Sequence, residues 1–159
     1  MSSSPYSPDR YVAPRNRIDV VTGKAVAWLT RHGISLLGSR VLSVPGRKSG
    51  RVQQVPVNLL SRDGRRYLVA IRGNTQWVRN VRAAGGARLQ VGRRVEEVSL
   101  RELPVEERVP VLRLYLARWG WEVGQFVEGL SKKSTDAELL AAAPGIPAFE
   151  VHRTEAQAS

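Results

Sequence analysis

Three apolar segments joined by two short turns, between Val41 and Arg72, constrain the fold of this chain most strongly. The segments "RVLSVP", "RVQQVPVNLL" and "RYLVAIR" are rich in the Val, Leu and Ile residues that strands favour. "GRKSG" separates the first two segments, and Asp63-Gly64, a typical hairpin dipeptide, separates the last two. Because connections this short join antiparallel neighbours, the sequence predicts a three-stranded antiparallel meander. Pro56 lies inside the second strand and requires an edge or a bulge there.

Four other segments are predicted to be helical. They are 19–37, a short helix after Asn74 or Thr75 that stops at Gly85-Gly86, a helix from Pro104 to about Trp119, and one opened by the Thr135-x-x-Glu138 capping box. The first is amphipathic, with apolar residues recurring at spacings of three and four. A helix packed on a sheet is the main interpretation of it, and a membrane-surface helix is the alternative.

The remaining strands complete an α+β pattern. "ARLQV" and "VEEVSLREL" predict a hairpin around Gly92-Arg93, and "PAFEVHR" predicts a last strand. The chain therefore has about six mostly antiparallel strands with flanking helices, without the strand–helix alternation of a doubly wound fold. This arrangement is typical of a small barrel or a strongly curved sheet.

The length of 159 residues suits one domain, predicted over 17–153. Residues 1–16 are rich in Ser and Pro and are expected to form a flexible tail, as are residues 154–159. The N-terminal segment has no apolar run of a secretory signal, and no run approaches the roughly 20 residues that span a bilayer. A cytoplasmic location is expected, with membrane contact through 19–37 as the alternative.

The charge balance favours an anionic partner. The formal net charge is +11, which suits a nucleic acid, an acidic membrane surface or a small polyanion, although the cations could also simply solvate the surface. The arginines are scattered over every predicted element, and this argues against a nucleic-acid interface. The absence of cysteine excludes disulfides, thiolate metal sites and a cysteine nucleophile. With only His32 and His152, neither in a motif with an acid, no metal site or catalytic triad is expected.

Two segments carry candidate binding residues. The "GRKSG" turn exposes backbone N–H groups, a hydroxyl and cations, and so forms a potential anion cradle, although a solvated turn is the commoner outcome. It lacks the spacing of a nucleotide-hydrolase phosphate loop. In "RGNTQWVRN", a glycine loop opens a helix, whose N-terminus favours anions. Trp77 on that helix is either core or an aromatic wall beside a planar ligand.

The order of these motifs resembles the deazaflavin-dependent nitroreductases, also called F420H2-dependent quinone reductases. The resemblance consists of the basic turn, a Pro in the next strand, "AIRG" and W-x-x-N. It runs from about Val41 to Leu103 and returns at "PAFEV". It implies a split β-barrel of the FMN-binding type and coenzyme F420, a deazaflavin with a phosphodiester and an oligoglutamate tail, with FMN as runner-up. "GNTQ" is shorter than the matching loop of many relatives and lacks its Pro, so the substrate range does not carry over.

The resemblance also implies roles for individual residues. Those implied to bind the cofactor are Arg47, Lys48, Ser49 and Arg51 at the phosphate and tail, Pro56, Val57 and Asn58 beside the ring, Ala70, Ile71, Arg72 and Gly73 at ring and ribityl chain, and Trp77 and Asn80 closing the pocket. The substrate-wall candidates are Tyr115, Trp119, Trp121 and Phe126, although core packing is preferred for at least two of them. Tyr115 is also the nominee for polarising the acceptor.

The expected activity is hydride transfer from reduced F420 to a quinone, an enone or a nitro compound. The alternatives are a non-catalytic cofactor- or lipid-binding protein of the same fold and, less favoured, a basic nucleic-acid-binding domain. The sequence leaves the oligomeric state open.

Overall fold

The computed structural model describes residues 5–13, 39–91, 93–123 and 126–154. The described residues form six strands: β1 (Ser39–Pro45), β2 (Val52–Arg62), β3 (Arg65–Val69), β4 (Gly86–Val91), β5 (Arg94–Glu102) and β6 (Ala148–Arg153). They also form three α-helices: α1 (Gln76–Ala84), α2 (Arg108–Val123) and α3 (Asp136–Ala142). The helix predicted over 19–37, with its membrane-surface alternative, lies outside the described residues.

The six strands close into a barrel in the order β1-β2-β3-β6-β5-β4. The predicted meander is confirmed, because β1 pairs antiparallel with β2 and β2 pairs antiparallel with β3. The hairpin of β4 and β5 is also confirmed. The α+β split-barrel prediction is therefore correct.

Pro56 occupies the position in β2 that a proline tolerates. It pairs in register with Val41 of β1. The pairing of β2 with β3 starts only at Leu59, opposite Leu68. Pro56 therefore lies outside the β2–β3 ladder, so its missing N–H interrupts no hydrogen bond of that ladder.

Several element boundaries differ from the prediction, and two of them are explained by local turns. β3 ends at Val69, although the apolar run continues to Ile71, because the Gly73 N–H turns back to the Ala70 carbonyl at 2.9 Å. The helix predicted from Pro104 begins with a 3₁₀ turn over Val105–Glu107 before α2. Local turn hydrogen bonds therefore set both boundaries.

The chain divides into two compact units. The helical unit comprises residues 1–13, 69–78 and 102–149, and the strand unit comprises 14–68, 79–101 and 150–159. In the helical unit, buried residues of α2, α3 and β6 form the core, among them Leu112, Leu139 and Phe149. In the strand unit the core includes Leu42, Leu68 and Leu89.

Candidate functional site

The "GRKSG" segment forms a closed turn between β1 and β2, which we call the basic turn (residues 46–51). The Gly46 N–H donates to the Arg51 carbonyl at 2.8 Å, and the Gly50 N–H donates to the Gly46 carbonyl at 2.9 Å. Gly50 has a φ of 74°, a conformation that side chains other than glycine adopt only with strain. The Ser49 hydroxyl accepts from the Arg51 N–H at 3.2 Å. The turn is therefore fixed by its own backbone.

Asn80 of α1 ties the basic turn to that helix. Its side chain is only 2% exposed, and its Oδ1 accepts both the Arg47 backbone N–H at 3.1 Å and Arg47 Nη1 at 2.8 Å. Its Nδ2 donates to Gln53 Oε1 at 3.4 Å. Within the strand unit the structure thus brings together Arg47 and Asn80, two residues that the sequence named from separate motifs.

The cations of the basic turn differ in how they are used. Arg47 is engaged by Asn80, whereas the Lys48 and Arg51 side chains are exposed and form no ion pair with any described residue. Two unneutralised cations on a rigid turn attract an anion. The turn therefore offers an anion the charge of Lys48 and Arg51, whereas the backbone N–H groups of Gly46, Arg47, Gly50 and Arg51 already donate within the protein, so the backbone contributes less to an anion site than the sequence suggested.

The cofactor-binding candidates on β2 are less buried than most of those in the loop after β3. Pro56, Val57 and Asn58 of β2 are half-buried in the strand unit. In the helical unit Ala70, Ile71 and Gly73 are buried and Arg72 is half-buried. The roles that the resemblance implies for these residues stay predictions.

The start of α1 carries one polar atom without a partner. Thr75 immediately precedes the helix and is 5% exposed, and its Oγ1 is buried without a hydrogen-bond partner among the described residues. A buried hydroxyl left in this state is destabilising unless a ligand or water satisfies it. From the sequence, Thr75 is predicted only as a helix cap, and nothing in the sequence distinguishes a capping hydroxyl from one that binds a ligand.

Trp77 is half-buried in the helical unit. Its ring lies 5.8 Å from the Phe149 ring, centroid to centroid, in a tilted arrangement. It therefore has a core partner on one side and keeps an exposed portion. The sequence left Trp77 as either a core residue or a ligand wall, and both interpretations stay predictions.

The aromatic residues of α2 are largely core. Tyr115 is 4% exposed and Trp119 is 1% exposed, and their ring centroids are 5.0 Å apart. Phe126 is half-buried, and the side chain of Trp121 lies outside the description. Burial of Tyr115 and Trp119 agrees with the preference for core packing, and their substrate-wall roles, with acceptor polarisation by Tyr115, stay predictions.

His152 is paired with an acid, which the sequence analysis missed. Its Nε2 lies 2.8 Å from Oε1 of Glu150, two residues earlier on β6. Glu150 is only 6% exposed and is also approached by Arg101 at 3.4 Å and Arg65 at 3.9 Å. Residues two apart on a strand share a face, so the "E-V-H" spacing contained this information. The arginines on neighbouring strands identify the cluster as an ion network.

A second ion network involves Glu96 of β5. Arg66 of β3 grips its carboxylate with two hydrogen bonds of 2.6 and 2.7 Å, and Arg153 of β6 approaches at 3.3 Å. The hydrogen bonds from Arg66 lower the pKa of Glu96, against a smaller opposing effect of burial. This carboxylate is therefore held ionised as a structural element of the strand unit.

A groove of about 550 Å³ lies on the strand unit. Its lining includes Pro45 and Val52, which flank the basic turn, and the exposed Val95. None of the residues that the resemblance implies for the cofactor lines it.

Other kinds of site are not found in the described residues. They contain no group of three or more His, Cys, Asp or Glu side chains that could hold a metal ion. None of their helices has the length and apolar character needed to cross a membrane.

Comparison with known proteins identifies a family. Residues 18–121, more than half of the chain, match the sequence model described as F420H2-dependent quinone reductase. No curated protein matches the chain.

Solved structures share the fold at low sequence identity. A structure described as a domain-swapped dimer is 22% identical, with 88% of this chain and 100% of that chain covered and a TM-score of 0.53. A FAD-binding protein from Mesorhizobium loti is 16% identical, with 85% and 89% covered and a TM-score of 0.50. A structure described as an F420H2-dependent reductase is 24% identical, with 72% and 94% covered and a TM-score of 0.49.

Proposed function

The chain belongs to the F420H2-dependent quinone reductase family, and on this premise we propose that it is an F420H2-dependent oxidoreductase. The proposed reaction transfers a hydride from the reduced deazaflavin to an electron-poor acceptor, namely a quinone, an enone or a nitro compound. F420 is proposed as the cofactor, and the flavin FMN is the competing ligand.

The observation that carries this proposal is the contact between the basic turn and Asn80. The turn and the W-x-x-N helix are far apart in sequence, and both are implied to bind the cofactor. Two hydrogen bonds from Arg47 to Asn80 Oδ1 join them. A family motif pair that the fold brings into direct contact supports one shared site better than either motif alone.

The residues present fit a cofactor with an anionic tail. Lys48 and Arg51 are exposed cations without an ion pair among the described residues, which suits a phosphodiester and an oligoglutamate. Thr75 Oγ1 is a buried hydroxyl that lacks a partner in the described part of the chain and could donate to a ligand oxygen. Each feature, considered within its own unit, would be stabilised by a polar ligand group beside it.

The protein's proposed contribution is binding and orientation. F420, when bound and reduced, supplies the hydride. The basic turn, attached to Asn80, would hold the anionic tail. Trp77, supported by Phe149, would offer an apolar face beside a planar ring. In this role Trp77 would position the ring and exclude water from it, and it would transfer no proton.

The direct test is a titration of the purified protein with F420 and, in parallel, FMN, followed by tryptophan fluorescence. Tight F420 binding with weaker FMN binding is expected. The Lys48→Ala/Arg51→Ala double variant should bind F420 at least about tenfold more weakly, since two charge-assisted contacts are removed. Its thermal stability should be unchanged, because both side chains are exposed.

A matched control removes two cations elsewhere. Lys132 and Lys133 are exposed in the helical unit, and their double alanine variant lowers the net charge by the same amount. It should bind F420 as the wild type does. If both double variants bind F420 equally weakly, the loss of affinity follows from net charge, and the assignment of the basic turn is wrong.

The acceptor is tested on the protein that binds F420. Reduced F420 is mixed with a quinone, an enone and a nitroaromatic compound, and its oxidation is followed optically. Turnover with at least one acceptor is expected. Binding of F420 without turnover of any acceptor would support the alternative of a non-catalytic cofactor-binding protein.

A further inference from the structure

An N-terminal segment packs against the loop that follows β3. We call residues 6–12 the N-terminal strap. The Val12 N–H donates to the Arg72 carbonyl at 2.8 Å, and the Asn74 N–H donates to the Arg10 carbonyl at 2.6 Å. Tyr11 and Gly73 form an antiparallel bridge between these bonds. The strap thus pairs with the 70–75 loop like a short strand, within the helical unit.

Gly73 makes this pairing possible. Its φ is 90°, and a Cβ built at this position would overlap the Arg10 carbonyl oxygen. Gly145 provides a second close approach, because a Cβ there would lie 2.7 Å from Tyr6 Cα. The strap therefore approaches the unit at two positions where only a glycine fits.

The Arg10 side chain is the main anchor of the strap. It is 9% exposed, and Nη1 donates to the Ile71 carbonyl at 2.8 Å and to the Gly145 carbonyl at 3.0 Å. Nη2 donates to the Phe126 carbonyl. The three acceptors belong to three separate segments, namely the 70–75 loop and the segments after α2 and α3. One planar guanidinium can serve acceptors in several directions because its donors are fixed in a fork.

Arg10 is also a buried cation without an acidic partner among the described residues. Burial lowers its pKa, but an arginine stays protonated in proteins. The Tyr6 ring faces the guanidinium at 4.9 Å, and its hydroxyl donates to the Glu128 carbonyl at 2.6 Å. Since burying a charge is unfavourable, the carbonyls must hold their positions to satisfy it. The cation thereby fixes the backbone around it.

We propose that Arg10 is a positioning residue that orders the 70–75 loop before the cofactor binds. This inference rests on the proposed function, because the cofactor contact of the loop belongs to that proposal. The loop carries Ala70–Gly73 and the unpartnered hydroxyl of Thr75, and its backbone is held on one side by Arg10. Without this anchor the loop would have to be ordered by the ligand, which weakens binding.

The experiment combines amide hydrogen exchange with F420 titration on Arg10→Met and Arg10→Lys. In Arg10→Met the Asn74 amide, whose acceptor lies in the strap, should exchange at least about tenfold faster, and the Leu68 amide in β3 should keep its rate. F420 should bind roughly tenfold more weakly, because part of the binding free energy would then be used to order the loop. Arg10→Lys retains the charge but not the fork, so an intermediate result is expected.

The control is Arg113→Met, which breaks an exposed ion pair with Asp136 in the same unit. It should change neither the exchange of Asn74 nor the affinity for F420. If Arg10→Met unfolds, Val12→Pro provides the test, since it removes the strap's N–H donor to the Arg72 carbonyl and keeps the Arg10 side chain. It should accelerate Asn74 exchange and weaken F420 binding in the same direction.

The outcomes separate this inference from the proposed function. Unchanged Asn74 exchange in the variants would overturn the positioning role whatever the wild type binds. Faster Asn74 exchange with an unchanged F420 affinity would overturn it as well, because the order of the loop would then have no effect on cofactor binding. A wild type that binds no F420 would defeat the proposed function, and the exchange measurement would still decide whether Arg10 orders the loop.

Discussion

Replacing Asn80 by alanine should destabilise the protein more than replacing its partner Arg47. Asn80→Ala removes two acceptor contacts to Arg47, one to its backbone N–H and one to its guanidinium, and also the 3.4 Å donor contact to Gln53. The hydrogen bond from the Arg47 backbone N–H is of the neutral kind that contributes about 1 kcal/mol. The hydrogen bond from the Arg47 guanidinium contributes less than a buried charged one, because the Arg47 side chain is exposed. With the cavity left by a side chain that is 2% exposed, the expected loss is about 2 kcal/mol.

Arg47→Ala loses only the guanidinium contact and keeps the backbone one. Its expected cost is about 0.5–1 kcal/mol, and the double variant should cost less than the two single variants together, because they share this contact. Urea unfolding measures all three. For a chain of this size a loss of 2 kcal/mol moves the midpoint by about 1 M.

A matched control is Gln54→Ala, which truncates an exposed amide on β2 that donates to Ser43 at 3.3 Å. Its unfolding free energy should stay within about 0.5 kcal/mol of the wild type. The reasoning is refuted if Asn80→Ala costs no more than Arg47→Ala. The backbone hydrogen bond and the Gln53 contact, which only Asn80→Ala removes, would then contribute nothing to stability.

Three further predictions concern Thr75, Trp77 and Glu96. Thr75→Val should leave the unfolding free energy of the free protein unchanged or raise it, because the hydroxyl has no partner in the described part of the chain, yet it should weaken F420 binding by titration. Trp77→Ala should lower the free energy of unfolding by about 3 kcal/mol through lost packing on Phe149, and F420 affinity should fall with it; a loss of stability alone would identify Trp77 as core. Arg66 lowers the pKa of Glu96 in the folded protein below the value of about 4.3 expected in the unfolded chain. The Glu96 contribution to the free energy of unfolding is therefore present above that unfolded-state pKa and is lost as the pH falls through the lower folded-state pKa. The advantage of wild type over Glu96→Gln in urea unfolding should therefore be large at pH 6 and shrink towards pH 3, and an advantage that does not depend on pH would contradict this.

The strand meander was predictable because its information is local. The Asp63-Gly64 turn and the "GRKSG" turn each fix a hairpin from a few residues, and the observed register follows from them. The capping box at Thr135 was likewise readable, since Thr135 and Glu138 bond each other's backbone in the structure. Closure of the barrel was less accessible, because the neighbours of β6 are far from it in sequence.

The candidate site was predictable as a set of residues but not as a set of contacts. The family pattern named Arg47 and Asn80 separately, and only the fold shows that one accepts hydrogen bonds from the other. Arg10 lies in a Ser- and Pro-rich segment that composition assigns to a flexible tail. Its acceptors are backbone carbonyls, which no residue type marks in a sequence.

Closure of the barrel limits how this protein can associate with other chains. Each of the six described strands has a neighbour on both sides, but the ladders do not run the full length of every strand: β2 pairs with β3 only from Leu59 to Arg62, so its residues before Leu59 lie outside that ladder. Recruitment of a peptide as an added strand, and edge-to-edge aggregation, both require a row of available backbone donors and acceptors. An added strand would therefore have to pair with a stretch such as the first half of β2, where Pro56 removes one backbone donor, whereas recognition along the paired segments depends on side chains.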